Sequence, residues 1–126
     1  MHNAEIAKIL ITISYYLEME DKPNFFRIRA FKNASDYIEK YPTDLTKKTY
    51  KQLVALPYIG DSIAKDIVVF AETGKIPFYE ELKKNSPIKL EELLQVQQVG
   101  PKKIKTFYKK LGITNLKQLQ ITTISN

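Results

Sequence analysis

The sequence predicts an all-α fold, a compact helical bundle built on one unit used twice. Three observations predict it. No segment of the 126 residues alternates apolar and polar side chains with period two, and no Asn-Gly or Asp-Gly turn occurs. Several segments instead repeat apolar residues every three or four positions, the period of a helix. Finally, residues 53–70 (LVALPYIGDSIAKDIVVF) recur forty positions later as residues 93–110 (LLQVQQVGPKKIKTFYKK). Gly60 aligns with Gly100, Ile59 with Val99, Leu56 with Val96, Ala64 with Ile104 and Ile67 with Phe107.

Each element follows from local pattern. Residues 3–19 read as an amphipathic helix with Ile6, Ile9, Leu10, Ile13, Tyr16 and Leu17 on one stripe and Asn3 as N-cap. Pro23 stops it from running on. Residues 25–40 form the second helix, with Phe26, Ala30, Ala34, Tyr37, Ile38 and Tyr41 expected on the inner side, and Pro42 ends it. Residues 47–55 make a short helix feeding the first turn around Pro57 and Gly60. The first repeat helix runs from about Asp61 to Glu72, with Gly74 just past its end. Residues 79–85 make a short helix, and Ser86-Pro87 reads as an N-cap followed by proline at a first helical position. Residues 88–94 feed the second turn. The second repeat helix runs from Pro101 to about Leu111, with Gly112 as its stop, and residues 114–120 start one more short helix.

Each turn presents a glycine at a helix start. A helix start offers unpaired N–H groups and a partial positive charge, and glycine lets another backbone approach closely. The pair suits an anion. With 20 Lys and Arg against 14 Asp and Glu, the expected anion is a nucleic-acid phosphate. Residues 1–20 carry a net −2 and residues 91–126 a net +4, so the positive charge lies away from the first helix. There is no cysteine, hence no disulfide or thiolate chemistry. No apolar run reaches membrane-spanning length, and Glu5 and Lys8 interrupt any secretory signal, so a cytoplasmic location is expected. His2 is the lone histidine, and the pairs Glu80-Glu81 and Glu91-Glu92 read as solvated helix faces rather than metal ligands.

These segments resemble the N-terminal part of the family X DNA polymerases, especially the bacterial and archaeal enzymes. NAEIAKIL opens as that family opens, and FFRIRAFKNASDYIEKYP is similar to its second helix. LPYIGDSIAKDI and VQQVGPKKIKTFYKKLGI resemble its two helix-hairpin-helix motifs, with GKIPFYEELKK as the linker. The resemblance covers nearly the whole chain. It implies a lyase-like helical domain over residues 1–78 with the first motif, and a second helix-hairpin-helix subdomain over 79–126. It also implies sequence-independent binding of the DNA backbone, gapped or nicked duplex above all, as the N-terminal part of a repair polymerase whose catalytic domain would follow. No cofactor is required by this reading. A monovalent cation, Na or K, would sit on the carbonyls of Leu56 and Ile59 in the first hairpin and of Val96 and Val99 in the second. Neither a membrane nor a small-molecule substrate is expected as a partner.

The sequence departs from the family at informative places. Tyr58 and Gln98 stand where the hairpins carry glycine. A non-glycine residue with positive φ there costs roughly 1 kcal/mol. The lyase reaction needs a lysine amine to form a Schiff base, and that position is Asp66, with Lys65 about 100° around the helix. The supporting lysine falls on Ser62 and a tyrosine of the second helix on Phe31. No strand carries paired aspartates, so two-metal nucleotidyl transfer has no site in this chain.

The candidate phosphate contacts are Gly60, Asp61 and Ser62 in the first hairpin and Gly100, Lys102, Lys103 and Lys105 in the second. Further candidate DNA contacts are Arg27, Arg29, Lys32 and Tyr58. Phe25, Phe26 and Tyr58 are candidates for exposure and for stacking on an unpaired base. Phe70, Phe78, Tyr79, Phe107 and Tyr108 are expected in the packing. The bland readings stay open beside these: a simple helix connection at Gly60, and a solvated face for Arg27, Arg29 and Lys32. Two rival functions also stay open, a protein-interaction scaffold that lost its DNA contacts and a deoxyribose-phosphate lyase.

Overall fold

The computed structural model describes residues 2–95, 100–115 and 117–118. Every regular element among them is helical: α1 (Asn3–Glu18), α2 (Phe25–Lys40), a 3-10 turn (Leu45–Lys47), α3 (Tyr50–Val54), α4 (Asp61–Thr73), α5 (Pro77–Asn85), α6 (Leu90–Leu93) and α7 (Pro101–Leu111). The expected helix over residues 114–120 and the tail at 121–126 fall largely outside the described residues.

Helices α1 and α2 pack along each other. Ile6, Leu10, Ile13 and Leu17 meet Ile28, Phe31, Ala34 and Ile38 in one buried cluster. Ser35 Oγ donates to the Ala7 carbonyl at 2.7 Å within this seam. The inner face of α2 differs from the expected one at its N-terminal end. Phe26 and Ala30 are exposed, and Ile28 and Phe31 point inward instead. The core stripe is thus 28, 31, 34/35, 38, a regular helical spacing that leaves 26 and 30 on the outside.

Asn3 is not a cap. His2 is the cap residue of α1, without a side-chain cap bond, and Asn3 is buried. Its amide donates to the carbonyls of Tyr41 (3.3 Å) and Thr43 (2.6 Å), and its Oδ1 accepts from the Leu45 N–H (3.0 Å). One side chain therefore satisfies three backbone groups of the turn after α2, as buried amides must be satisfied.

The first cluster also takes in Leu53, Ile59, Ile63, Ala64, Ile67, Phe70 and Ile76, so α3 and α4 close over the α1–α2 pair. A second cluster joins Tyr16 to Ile88, Leu90, Leu93, Ile104 and Ile113. Tyr79 and Leu82 of α5 pack against both. Helix α5 starts at Pro77 itself, at the first helical positions where proline is tolerated. Ser86 closes α5 rather than opening the next helix, and α6 begins only at Leu90. Ser86 Oγ instead bonds the N–H and carbonyl of Ile88 across Pro87. Gly74 and Gly112 end α4 and α7 in the left-handed conformation, at φ 76° and 67°.

Candidate nucleic-acid interface

The first hairpin is α3, the turn 55–60, and α4. Helix α3 is short, and a capping box fixes its start: Thr49 and Gln52 each accept a backbone N–H of the other. The turn is then pinned by Leu56 N–H to the Leu53 carbonyl (3.0 Å) and Ile59 N–H to the Leu56 carbonyl (3.4 Å). Ile59 is buried and anchors the loop to the core. Tyr58 between them has φ 63° and is the sole non-glycine with positive φ among the described residues. It occupies a position where the resembling hairpins carry glycine.

Gly60 caps α4 with extended backbone, φ −85° and ψ −175°, and no side chain caps the helix start. Gly100 caps α7 in the same way, φ −100° and ψ 178°, again with no side-chain cap. The carbonyl of each accepts the first helical bond, from the N–H of Ala64 (2.9 Å) and of Ile104 (3.1 Å). The two glycines thus occupy equivalent places, as the repeat predicts. A Cβ at either would meet nothing within 4 Å. Neither conformation nor crowding requires glycine there, so what the missing side chain leaves is access to the helix start from outside. Val96, Gln98 and Val99, and with them two of the expected cation-binding carbonyls, lie outside the described residues.

The side chains around the two starts differ. Ser62 is exposed. Asp61 accepts from the Tyr50 hydroxyl in a very short hydrogen bond and pairs with Lys65 at 3.1 Å. Those two partners hold its carboxyl below the usual range, Tyr50 first. Asp61 is therefore a fixed negative charge in the first turn of α4, good for the helix dipole and adverse to a phosphate. In α7, Lys102 and Lys103 are exposed. Lys105 is occupied: its ammonium donates to the Glu20 carbonyl at 2.7 Å. Lys109 follows one turn on and pairs with Asp21 at 2.8 Å. So the lysine-rich helix divides into a free start and a side that grips the α1–α2 loop, a division that spacing alone did not disclose.

A family profile described as "Helix-hairpin-helix domain" matches residues 1–76. The chain belongs to that family. A protein named DNA polymerase/3'-5' exonuclease PolX, from Bacillus subtilis strain 168, is 31% identical over 121 residues. The match covers 95% of this chain and 20% of that protein, so the chain spans about one fifth of its relative's length. The resemblance to the family X polymerases read from the hairpin segments is thereby shown.

In this helix-hairpin-helix domain Asp66, where the resemblance would put a Schiff-base lysine, is half-buried. Burial pushes the Asp66 carboxyl up to about 6, against the pull of the Arg27 guanidinium. Arg27 itself lies over the Phe78 ring (4.6 Å) and near Phe31 (5.9 Å). Lys65, beside Asp66 in sequence, is turned to solvent and held by Asp61. Of the other α2 cations, Arg29 is exposed, whereas Lys32 pairs with Glu18 at 2.6 Å. Phe25 and Phe26 are 71% and 91% exposed and Tyr58 61%, as expected of candidates for stacking. Phe70 is buried, and Phe78, Tyr79, Phe107 and Tyr108 are packed against the two clusters.

Glu91 departs from its expected solvated role. It accepts hydrogen bonds from the hydroxyls of Tyr16 and Tyr79, each at 2.8 Å. A cleft of about 670 Å³ adjoins it, lined by Lys8, Lys75, Lys83, Glu5 and Glu80 among others, and contains no residue of either helix start. Among the described residues no cluster of three or more His, Asp or Glu is placed to hold a metal, and no helix is long and apolar enough to cross a membrane.

Proposed function

We propose that this domain binds the DNA backbone through its two hairpins, without regard to base sequence. The observation that carries the reading is the matched pair of helix starts. Gly60 and Gly100 share one backbone conformation, and both leave the first N–H groups of their helices without a side-chain cap. Uncapped N–H groups and the positive end of the helix dipole favour a phosphate oxygen. Phosphate contacts position a protein on DNA and carry no sequence information.

In the same reading the bound form is gapped or nicked duplex, and the domain serves as the DNA-gripping part of a family X repair polymerase. Lys102 and Lys103 supply charge at the second start, and Arg29 is an exposed cation on α2. A Na or K ion on the turn carbonyls, Leu56 and Ile59 in the first hairpin, would tighten each turn against the backbone. Residues 1–78 and 79–126 act as two binding units. The fixed carboxylate of Asp61 makes the first hairpin the weaker of the two. That same carboxylate, with Lys105 engaged by Glu20, is what favours the scaffold reading as the alternative.

Fluorescence anisotropy with labelled gapped and intact duplex at low salt tests this. Saturable binding that weakens steeply with salt is expected. No saturable binding to either DNA would leave the scaffold reading. For the lyase, Asp66 cannot form an imine, so borohydride is expected to trap no adduct with a 5′-deoxyribose-phosphate end; a trapped adduct would restore that activity.

A further inference from the structure

Tyr58 holds a conformation that L side chains rarely adopt, at φ 63°. Such a residue persists only where its surroundings hold it, and the ring is not held by burial, being 61% exposed. What it has is a brace. The Tyr37 ring lies 5.9 Å from the Tyr58 ring, and the Tyr41 ring lies 5.7 Å from Tyr37. Lys48 then stands 5.7 Å from the Tyr41 ring. Three rings and a cation form a strip that runs from the turn of the first hairpin to the end of α2, where Tyr37 and Tyr41 are half-buried against the first cluster, and Tyr58 is its most exposed ring.

The charge around this strip selects its occupant. Residues 44–61 carry Lys47, Lys48 and Lys51 against Asp44 and Asp61, and both carboxylates are already engaged, Asp44 by Thr46 and His2 and Asp61 by Tyr50 and Lys65. An aromatic strip can hold a cationic side chain of a protein partner, but lysines on the same segment repel one. They attract a polyanion, and the polyanion that also brings flat apolar faces is a nucleic acid with unstacked bases. In an intact duplex the base faces are covered by their neighbours.

We propose that Tyr58, braced by Tyr37 and Tyr41, is a stacking platform for an unpaired base, so that the first hairpin prefers a duplex with a single-stranded stretch to an intact one. This rests on the DNA-binding reading above. It assigns the two chemistries to different parts of the hairpin: the start of α4 takes the phosphate, and the ring two residues earlier takes the base next to it. The glycine expected at this place would leave only the phosphate part.

The test is anisotropy titration of the full chain on an intact duplex and on the same duplex interrupted by a short gap. The parent is expected to bind the gapped form about tenfold tighter, the size of one base–aromatic stack. Tyr58→Gly suits the left-handed backbone and should bring the gapped affinity down to that of the intact duplex. Tyr58→Phe should keep the preference. Because the chain has no tryptophan, Tyr58→Trp provides a single indole reporter, expected to be quenched by the gapped duplex and not by the intact one. A preference that survives in Tyr58→Gly overturns the proposal. So does an equal loss on both DNAs, which would make Tyr58 a shaper of the turn. If Tyr58→Gly does not fold, indole fluorescence of the Tyr58→Trp variant that stays unquenched by the gapped duplex overturns it instead. A parent that binds both DNAs equally sinks the stacking platform and leaves backbone binding standing, whereas a parent that binds neither removes both.

Discussion

Asp66 and Tyr58 show how single residues are held against their own preferences. The Asp66 carboxyl is raised to about 6 by burial, so the folded state keeps its proton after the unfolded state has lost it. Stability from this residue therefore falls as pH rises from about 4 to 6. Asp66→Asn removes the penalty. The variant is expected to be more stable than the parent at pH 7, by roughly 1 kcal/mol after solvent screening of a half-buried group, and level with it at pH 4. Thermal melts of both at the two pH values check this; equal differences at both would show that burial of the charge is not the cause. At Tyr58 the backbone strain and the ring contact can be separated. Tyr58→Ala keeps the left-handed strain and loses the ring, while Tyr58→Gly loses both. Denaturant titration should find the alanine variant less stable than the glycine variant by about 1 kcal/mol. The strain itself was legible, because the resembling hairpins carry glycine at the position of Tyr58. The brace by Tyr37 was not, because the two rings lie 21 positions apart and on different elements.

At the level of elements, the two hairpin helices were readable from apolar spacing, an opening glycine and a closing glycine, and both have the expected bounds within a residue. The stretch between them was less readable. Ser86-Pro87 has the look of a helix start, yet Ser86 bonds Ile88 across the proline and the helix waits until Leu90. A cap signal and a turn signal use the same serine hydroxyl, and only the packing of Ile88 and Leu90 decides between them. In the same way, spacing placed Phe26 and Ala30 inward, and the burial of Ile28 and Phe31 rotated the face. Helix α7 supports a direct prediction about binding. Lys102→Ala with Lys103→Ala should weaken duplex binding strongly and lower the salt slope by about one unit per lost phosphate contact, equally for unrelated sequences. Ser62→Ala should do much less. Both lysines are exposed, so the melting temperature should hardly move. A double variant that binds like the parent would move the binding to the first hairpin.

Across the whole molecule, the second hairpin is fastened to α1 at two places. Lys105 and Lys109, one turn apart on α7, grip Glu20 and Asp21 of the loop that follows α1. Deeper in, Glu91 at the start of α6 accepts from Tyr16 of α1 and Tyr79 of α5. The exposed Lys109 pair contributes little by itself, so the inner contact is the one that ties the second hairpin to α1. Burial, then the bond to Glu91, raises both tyrosine hydroxyls well above 10. The folded state thus keeps protons that the unfolded chain releases, and stability is lost as pH rises past 10. Glu91→Ala leaves two part-buried hydroxyls without their acceptor and should cost roughly 1–3 kcal/mol. The loss should be uneven. Hydrogen exchange is expected to speed up in α6 and α7, whose cluster joins α1 through Tyr16, while α2 and α4 keep their protection in the first cluster. Glu91→Gln keeps an acceptor and should restore most of the protection. If the two hairpins act on one DNA strand, Glu91→Ala should also weaken duplex binding by more than its effect on stability accounts for, because a freely hinged second hairpin no longer shares the register of the first. Uniform acceleration of exchange in all helices would instead mean that the molecule opens as one unit and that Glu91 orients nothing.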